Sequence, residues 1–424
     1  MAYDSEATDA TGQRRFRGDG FREDSDHRAE GATGVQYRPR VTPAANLDDV
    51  FDDPAHGEVG RDRLGIHFAW EGVLLLGVVV LGFLLHNSHR AQISGDRLQE
   101  LLVFAAALGL LGFGAAMTLR AGAVNLALGP VASAAALFYA EHGNDGVVPT
   151  AGMAVAFAAG LGLVIAILVV GFHVPGWAGS LAAALVAIVW IQKHPDPLTV
   201  AGEYDPTNQA LYLFAGFAAL TIVAGLLGSI RSIRRGVGRF RPVGDPAHRR
   251  GGLGGTVAAL GLVTSTVLAA VAGVLLAALN GTTEQVVVPT EGIELTGLAI
   301  GAALVGGVSA YGRRGGVFGT LLSVSLLALV IWYAGKDAAN WRISHYALAA
   351  GVVALGLVVT RLVETFGRPL PIDEESPDDW SDVGVPGTAG WSTGSGDTWA
   401  NLPAQPAPAR TDQWGDEDRW SSLR

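Results

Sequence analysis

The sequence predicts an all-α protein: a polytopic bundle of about ten transmembrane helices, flanked by two disordered tails. Three observations lead there. Half of the 424 residues are hydrophobic and only 16% are charged, against about 25% charged in a typical soluble domain. The charge is also segregated. Residues 1–65 hold 9 basic and 14 acidic side chains, residues 368–424 hold 4 and 11, and the body between them holds 16 and 14. Within that body the apolar residues run on for about 20 positions at a time, the length a helix needs to cross about 30 Å of hydrocarbon.

Ten such runs lie at 66–86, 98–119, 122–140, 147–170, 174–191, 209–230, 255–279, 295–310, 315–334 and 343–363. They are continuous rather than alternating, which excludes a β-barrel. Gly122, Asn125, Gly129 and Pro130 interrupt the third run, and the eighth is short and carries Gly301, Gly306 and Gly307. Nine or eleven spans would fit the same runs. If spans two to five and seven to ten are repeats, the third and eighth segments correspond. Broken apolar segments at matching places point to a solute path. Close helix packing through small residues accounts for the same glycines.

Loop charge sets the orientation. Between the sixth and seventh runs stand Arg231, Arg234, Arg235, Arg239, Arg241, Arg249 and Arg250 against Asp245 alone, and Arg313 and Arg314 follow the eighth. The alternate loops are acidic or mixed, with Glu141 and Asp145, then Lys193, Asp196, Glu203 and Asp205, then Glu284, Glu291 and Glu294. The positive-inside rule then predicts both termini in the cytoplasm. The first outer loop, with Arg90 and Arg97 against Asp96, departs from it. The chain divides into an acidic cytoplasmic tail (1–65), a transmembrane domain (66–367) and a second acidic tail (368–424). Residues 1–65 contain no long apolar run, so no secretory signal is expected there. The second tail carries five tryptophans, at 380, 391, 399, 414 and 420. They belong either to a solvated tail or to a tether that docks on a partner.

Composition excludes several functions. Without cysteine there is no disulfide, no thiolate nucleophile and no Cys-ligated metal. A net charge of −10 with no basic stripe argues against nucleic acid as a partner. No phosphate-binding loop is present: Lys336 follows Gly335, but Asp337 comes next. His86 and His89 form a lone H-x-x-H that reads as surface loop. No catalytic residue, metal or cofactor is expected. Glu71, beside Trp70 near the start of the first run, reads as an interfacial anchor favoured by the helix dipole. Arg120, between two runs, reads as an interfacial charge. No chain of Asp, Glu and His crosses the body, which argues against a proton-coupled transporter.

The loop from Arg239 to Gly252 carries a helix signal of its own. Asp245 is a good N-cap, Pro246 suits the first helical position, and Gly251 stops the turn. A short basic surface helix between two spans would receive a push from a soluble motor. An ordinary positive-inside loop explains the same residues.

This stretch and two others carry a resemblance. Gly244-Asp245-Pro246, with the span end Ala269-Ala270-Val271-Ala272-Gly273-Val274-Leu275-Leu276, is similar to the coupling loop and following span of ABC importer permeases of the branched-chain amino acid, ribose/xylose and nucleoside group. Gly306-Gly307-Val308-Ser309 and the glycine-rich Gly312–Thr320 resemble a later family segment, and Arg120–Gly129 an earlier one. The matches keep the family's order over roughly 98–363. The sequence departs from the family in its basic His248-Arg249-Arg250, in Pro130, and in both tails. Asn125 stands as in the amino acid and nucleoside branches.

The resemblance implies a permease subunit rather than an enzyme, in a bacterial plasma membrane, with ATP hydrolysed by a partner chain. It implies coupling to that ABC ATPase through Gly244, Asp245, Pro246, Ala247, His248, Arg249 and Arg250. It implies a solute path at Asn125, Gly129, Gly306 and Gly307, taking a monosaccharide, nucleoside or branched-chain amino acid. A second permease chain and an extracytoplasmic solute-binding protein complete the expected assembly. Two other readings stay open: a diverged, non-transporting membrane scaffold or regulator, and a secondary transporter.

Overall fold

The computed structural model describes residues 64–230, 252–283, 285–310, 318–334 and 344–366. Both tails lie outside the described residues. So does the coupling segment, Gly244 to Arg250.

Every one of the ten apolar runs is a helix. They are α1 (Leu64–Ser88), α2 (Asp96–Arg120), α3 (Leu128–His142), α4 (Val147–Ala166), α5 (Gly176–Ile191), α6 (Ala210–Ser229), α7 (Leu253–Thr283), α8 (Ile293–Val305), α9 (Gly319–Ala334) and α10 (His345–Phe366). A π-helical turn, Ile167–Gly171, ends α4. Two short strands, β1 (Leu198–Thr199) and β2 (Val286–Val287), pair antiparallel with Leu198 opposite Val287.

Two boundaries differ from the sequence expectation by more than a few residues. The third helix starts at Leu128 rather than 122, and the eighth ends at Val305 rather than 310. Helix-ending glycines mark both places, and the Asn125 side chain holds the segment that follows Gly122. Gly122 takes φ +70°, while the amides of Ala123 and Gly122 return to the carbonyls of Thr118 and Leu119. Gly307 takes φ +83° and repeats the pattern, with Val308 to Ala303 and Gly307 to Leu304. This is the Schellman stop, which glycine enters without a Cβ penalty.

Among the described residues six helices are long and apolar enough to cross a membrane: α1, α2, α4 with its π turn, α6, α7 and α10. The other four have 15, 16, 13 and 16 residues (α3, α5, α8, α9). At 1.5 Å per residue they reach roughly 20–24 Å, short of the about 30 Å core. The expected ten spans are therefore ten helices among the described residues, six of spanning length. Non-helical backbone at membrane depth is tolerated only where protein covers it or where it lines a cavity; the link into α3 is mostly buried, whereas the link into α8 is largely exposed.

α2 and α7 form the centre. In their most apolar stretches 78% and 67% of residues are buried, against 17% in α1 and 22% in α6. The peripheral helices turn large apolar side chains outward, among them Phe83, Phe157, Val186 and Val223. An apolar outer surface of this kind suits a bilayer.

Helices α2–α5 and α7–α10 pack as two repeats. α3 lies on α7 as α8 lies on α2, and α4 lies on α7 as α9 lies on α2. α3 also contacts α4 and α5, as α8 contacts α9 and α10. α1 joins the outside of this set against α9, and α6 against α2. The correspondence of the third and eighth segments, read from their glycines, is thus present in the packing.

Candidate functional site

The two short helices begin beside each other. A Cβ on Gly129 would collide with the Gly292 carbonyl oxygen, and one on Gly292 would collide with the Gly129 carbonyl. The backbones touch, so only glycine serves at either position. The residue four places on is a hydroxyl in both helices, Ser133 and Thr296. The Gly129 amide, one of the orphan donors of a helix start, donates to Thr296 Oγ1 at 2.8 Å. Thr296 Oγ1 donates in turn to the Leu126 carbonyl at 3.2 Å. Ser133 Oγ and Thr290 Oγ1 share a hydrogen bond at 3.3 Å on the other side of the contact.

α7 serves as a ruler for the depth of this crossing. Asn125 bonds to Ser265, Gly273 packs against the Ala132 backbone, and Gly281 faces Val200. Leu128 therefore stands about halfway along the 31-residue α7. From there α3 runs toward the C-terminal end of α7, where Ala201 N–H donates to the Ala140 carbonyl. α8 runs the opposite way and ends with Gly306 against Gly319. Two half-length helices thus start at mid-depth and point their N-terminal, partly positive ends at each other.

Asn125 holds the link into α3. It is fully buried. Its Nδ2 donates to Ser265 Oγ at 2.8 Å, and its Oδ1 accepts from Ala127 N–H at 2.9 Å. Ser180 of α5 holds the same link, accepting from Leu126 N–H at 3.0 Å and donating toward the Val124 carbonyl. Both ends of the Asn125 amide are engaged within the protein. Asn125→Ala should therefore lower thermal stability by about 1–3 kcal/mol, the cost of stranding buried partners. A detergent melting curve checks this; an unchanged midpoint would remove the anchoring role.

Gly306 and Gly307 sit elsewhere, at the far end of α8. There the first helix closes two ends at once. Trp70 Nε1 donates to the Val305 carbonyl at 2.7 Å, capping α8. Glu71 Oε1 accepts from the amides of Phe318 and Gly319 at 2.9 and 3.1 Å, capping α9. Arg120, whose guanidinium lies beside Gly228 of α6, is within electrostatic reach of Glu71. Glu71 is buried. In the sequence it reads as an anchor at its own helix start; in the structure it serves the start of another helix. The structure therefore brings Asn125 and Gly129 together and leaves Gly306 and Gly307 in a separate packed turn.

At the opposite end, where β1 pairs with β2, the bundle is open. A cavity of about 560 Å³ is lined by Pro289, Thr290, Glu291, Glu294, Ser344, His345 and Tyr346. A smaller hollow of about 260 Å³ shares Pro289, Thr290 and Glu291 and reaches Gln192, His194 and Pro195. The floor segment 289–291 leads directly to the Gly129–Gly292 contact. Beside the smaller hollow, Glu141 at the end of α3 lies 3.7 Å from His194 beyond α5. His89 meets Tyr333 edge to face, with centroids 5.8 Å apart.

Sequence reasoning missed Gly292, Ser133, Ser265, Thr296 and the cavity residues. In the sequence Glu291 and Glu294 read only as loop charges. One signal was available for Gly292 and Thr296: their Gly-x-x-x-Thr spacing matches the Gly-x-x-x-Ser of Gly129 and Ser133. A scan against protein-family models and searches of characterised proteins and solved structures return no match. The helices themselves make this a multi-span helical membrane protein.

Proposed function

We propose that the chain is the permease subunit of an ABC importer and forms the transmembrane path for a small polar solute. The observation that carries the reading is the crossing of Gly129 and Gly292, where two half-length helices from two structural repeats meet at mid-depth. Secondary transporters place their solute sites at the interface between such repeats, at the N-termini of discontinuous helices, and the same arrangement serves here as the pointer to a solute path. The open cavity above the crossing and the packed, capped turn below it give the path an open and a closed end. The motif resemblance supplies the motor. A separate ATPase would push on Gly244–Arg250, with the open end facing the outside and both termini in the cytoplasm. A second permease chain and a solute-binding protein complete the assembly, and the chain itself catalyses nothing.

Affinity purification of the intact chain from its native membrane, followed by mass spectrometry, tests this. Recovery of a Walker-motif ATPase is expected, and its absence from repeated preparations would overturn the importer reading. Replacing Asp245 and Pro246 together with alanine is expected to abolish solute-stimulated ATP hydrolysis in the purified assembly while the elution volume stays the same. Full coupling in that variant would remove the loop from the mechanism.

One observation favours a gradient-driven transporter instead. Glu294 lies in the first turn of α8, close to the crossing. Uptake that survives loss of the ATPase and collapses with an ionophore would establish that reading.

A further inference from the structure

We propose that Glu141, His142 and His194 form a proton-operated latch at the open end of the bundle, tying the end of α3 to the end of α5 when the histidines are charged. The latch stands independently of the transport reading.

The two histidines are built alike. Each stands four residues after an aromatic side chain, Phe138 for His142 and Trp190 for His194. In each pair the imidazole Nδ1 lies against the carbonyl oxygen of that aromatic residue, at 3.1 Å for His142 and 3.2 Å for His194. A carbonyl oxygen only accepts, so in the neutral ring Nδ1 carries the hydrogen and Nε2 the lone pair. Each ring also packs on its aromatic partner, with centroids 4.5 Å apart in both cases. His142 closes the last turn of α3, and the His194 amide donates to the carbonyl of Ile191, the last residue of α5.

Glu141 stands between them. Its Oε2 lies 3.7 Å from His194 Nε2 and 3.8 Å from His142 Nδ1. With a neutral His194 ring, a lone pair faces a carboxylate oxygen and neither atom can donate. A proton on Nε2 replaces that opposition with an N–H donor and an opposite charge. Protonation also sets a cation over each aromatic face and beside the C-terminal ends of two helices, which attract positive charge. All three effects have one sign: acid closes the contact and base releases it.

The neighbouring groups leave this change to the histidines. Asp145 follows His142, while Lys193 and Asp196 flank His194. Glu203 lies on the segment whose Gly202 packs against Gly143, and Glu291 lies on the smaller hollow that His194 also lines. Among the described residues the ion-pair partners of Glu141 are the two histidines. α4 presents the Thr150 hydroxyl, which donates to the His142 carbonyl at 2.9 Å. Carboxylates ordinarily titrate near about 4, imidazole near about 6.5, and the phenols of Tyr139 and Tyr204 belong to a class that titrates near about 10. Imidazole is therefore the group that changes charge close to neutrality.

The consequence reaches the crossing. α3 starts at the Gly129–Gly292 contact, and Ser180 of α5 holds the link into α3. A closed latch fixes the same two helices at their other ends and sets one wall of the smaller hollow.

Hydrogen exchange of the full chain in lipid nanodiscs tests the latch, read by mass spectrometry at about pH 5.5 and about pH 8, on either side of the ordinary imidazole range. Comparing wild type with a variant at one pH cancels the intrinsic pH dependence of exchange. Glu141→Gln keeps the shape and removes the charge, and His194→Gln removes the titrating ring. Glu141 and His142 are exposed and His194 partly so, and ion pairs in such settings are weak. Peptides covering 140–146 and 190–196 should therefore exchange about two- to fivefold more slowly in wild type than in either variant at the lower pH. At the higher pH the three proteins should agree. Asp145→Asn, which removes a neighbouring charge outside the latch, should follow wild type at both. Wild-type exchange in both variants at the lower pH would overturn the latch. A difference of equal size at both pH values would show a contact that protons do not operate, and would overturn it as well.

Discussion

Gly129→Ala is expected to collapse the folded protein, with a loss of about 3 kcal/mol or more, at or beyond the upper end of ordinary overpacking. The new methyl group would occupy the position of the Gly292 carbonyl oxygen and lie 2.7 Å from the Thr296 amide nitrogen. These are backbone atoms, so no side chain can rotate away. The two helix starts would have to separate, and the Gly129–Thr296 and Thr296–Leu126 hydrogen bonds would separate with them. Gly292→Ala meets the same collision and adds the cost of a side chain at φ +72°. Gly152 and Gly160 of α4 are the controls. A Cβ at either finds nothing within 4 Å, so alanine there should be neutral or raise stability by up to about 1 kcal/mol. Fluorescence-detected gel filtration over a temperature series separates the two pairs. A wild-type melting midpoint in Gly129→Ala would mean that the crossing is looser than described.

The next largest effect is expected at Glu71. Glu71→Ala removes the acceptor for two amides at the start of α9 and withdraws the charge facing Arg120. A loss of about 2–3 kcal/mol follows from hydrogen bonds to an ionised acceptor, in a setting where water cannot easily replace them. Glu71→Gln keeps one carbonyl oxygen and loses the charge, so it should fall between alanine and wild type. Melting midpoints should therefore rise in the order Ala, Gln, Glu. Identical midpoints for all three would show that α9 holds its start without α1.

Much of the fold is legible in the sequence because one signal dominates. A helix in lipid must be apolar along its whole length, so the run from Ile66 to His86 reads as α1 directly. The helix stop at Gly122 is legible as well, since a left-handed residue favours glycine; the one at Gly307 is not, because the apolar run continues to residue 310. The late start of α3 is hidden, because Ala121–Ala127 contains Val124 and Leu126 and reads as membrane-spanning. What keeps it out of a helix is the Asn125 side chain, which bonds to its own backbone and to Ser265, 140 residues away. The site is harder to read for the same reason. Glu294 and His345 are fifty-one positions apart and stand at the starts of different helices. Their common cavity exists only after α8 and α10 pack together. Gly129 and Gly292 can each be seen as helix-breaking, but nothing local says that they touch.

The cap on α9 also bears on how the protein is made. Glu71 belongs to the first of the described helices, and the amides it accepts from lie 247 and 248 residues downstream. At about 5–20 residues per second of synthesis, that is a delay of roughly 12–50 s. For that interval a carboxylate sits in a nascent membrane segment without its final partners. Arg120, which emerges far sooner, is the opposite charge within reach meanwhile. α1 therefore cannot take its finished position early, and it is sealed only once α9 has been made. Chains truncated before Phe318 should accordingly be marked for membrane proteolysis even when all their earlier helices have inserted.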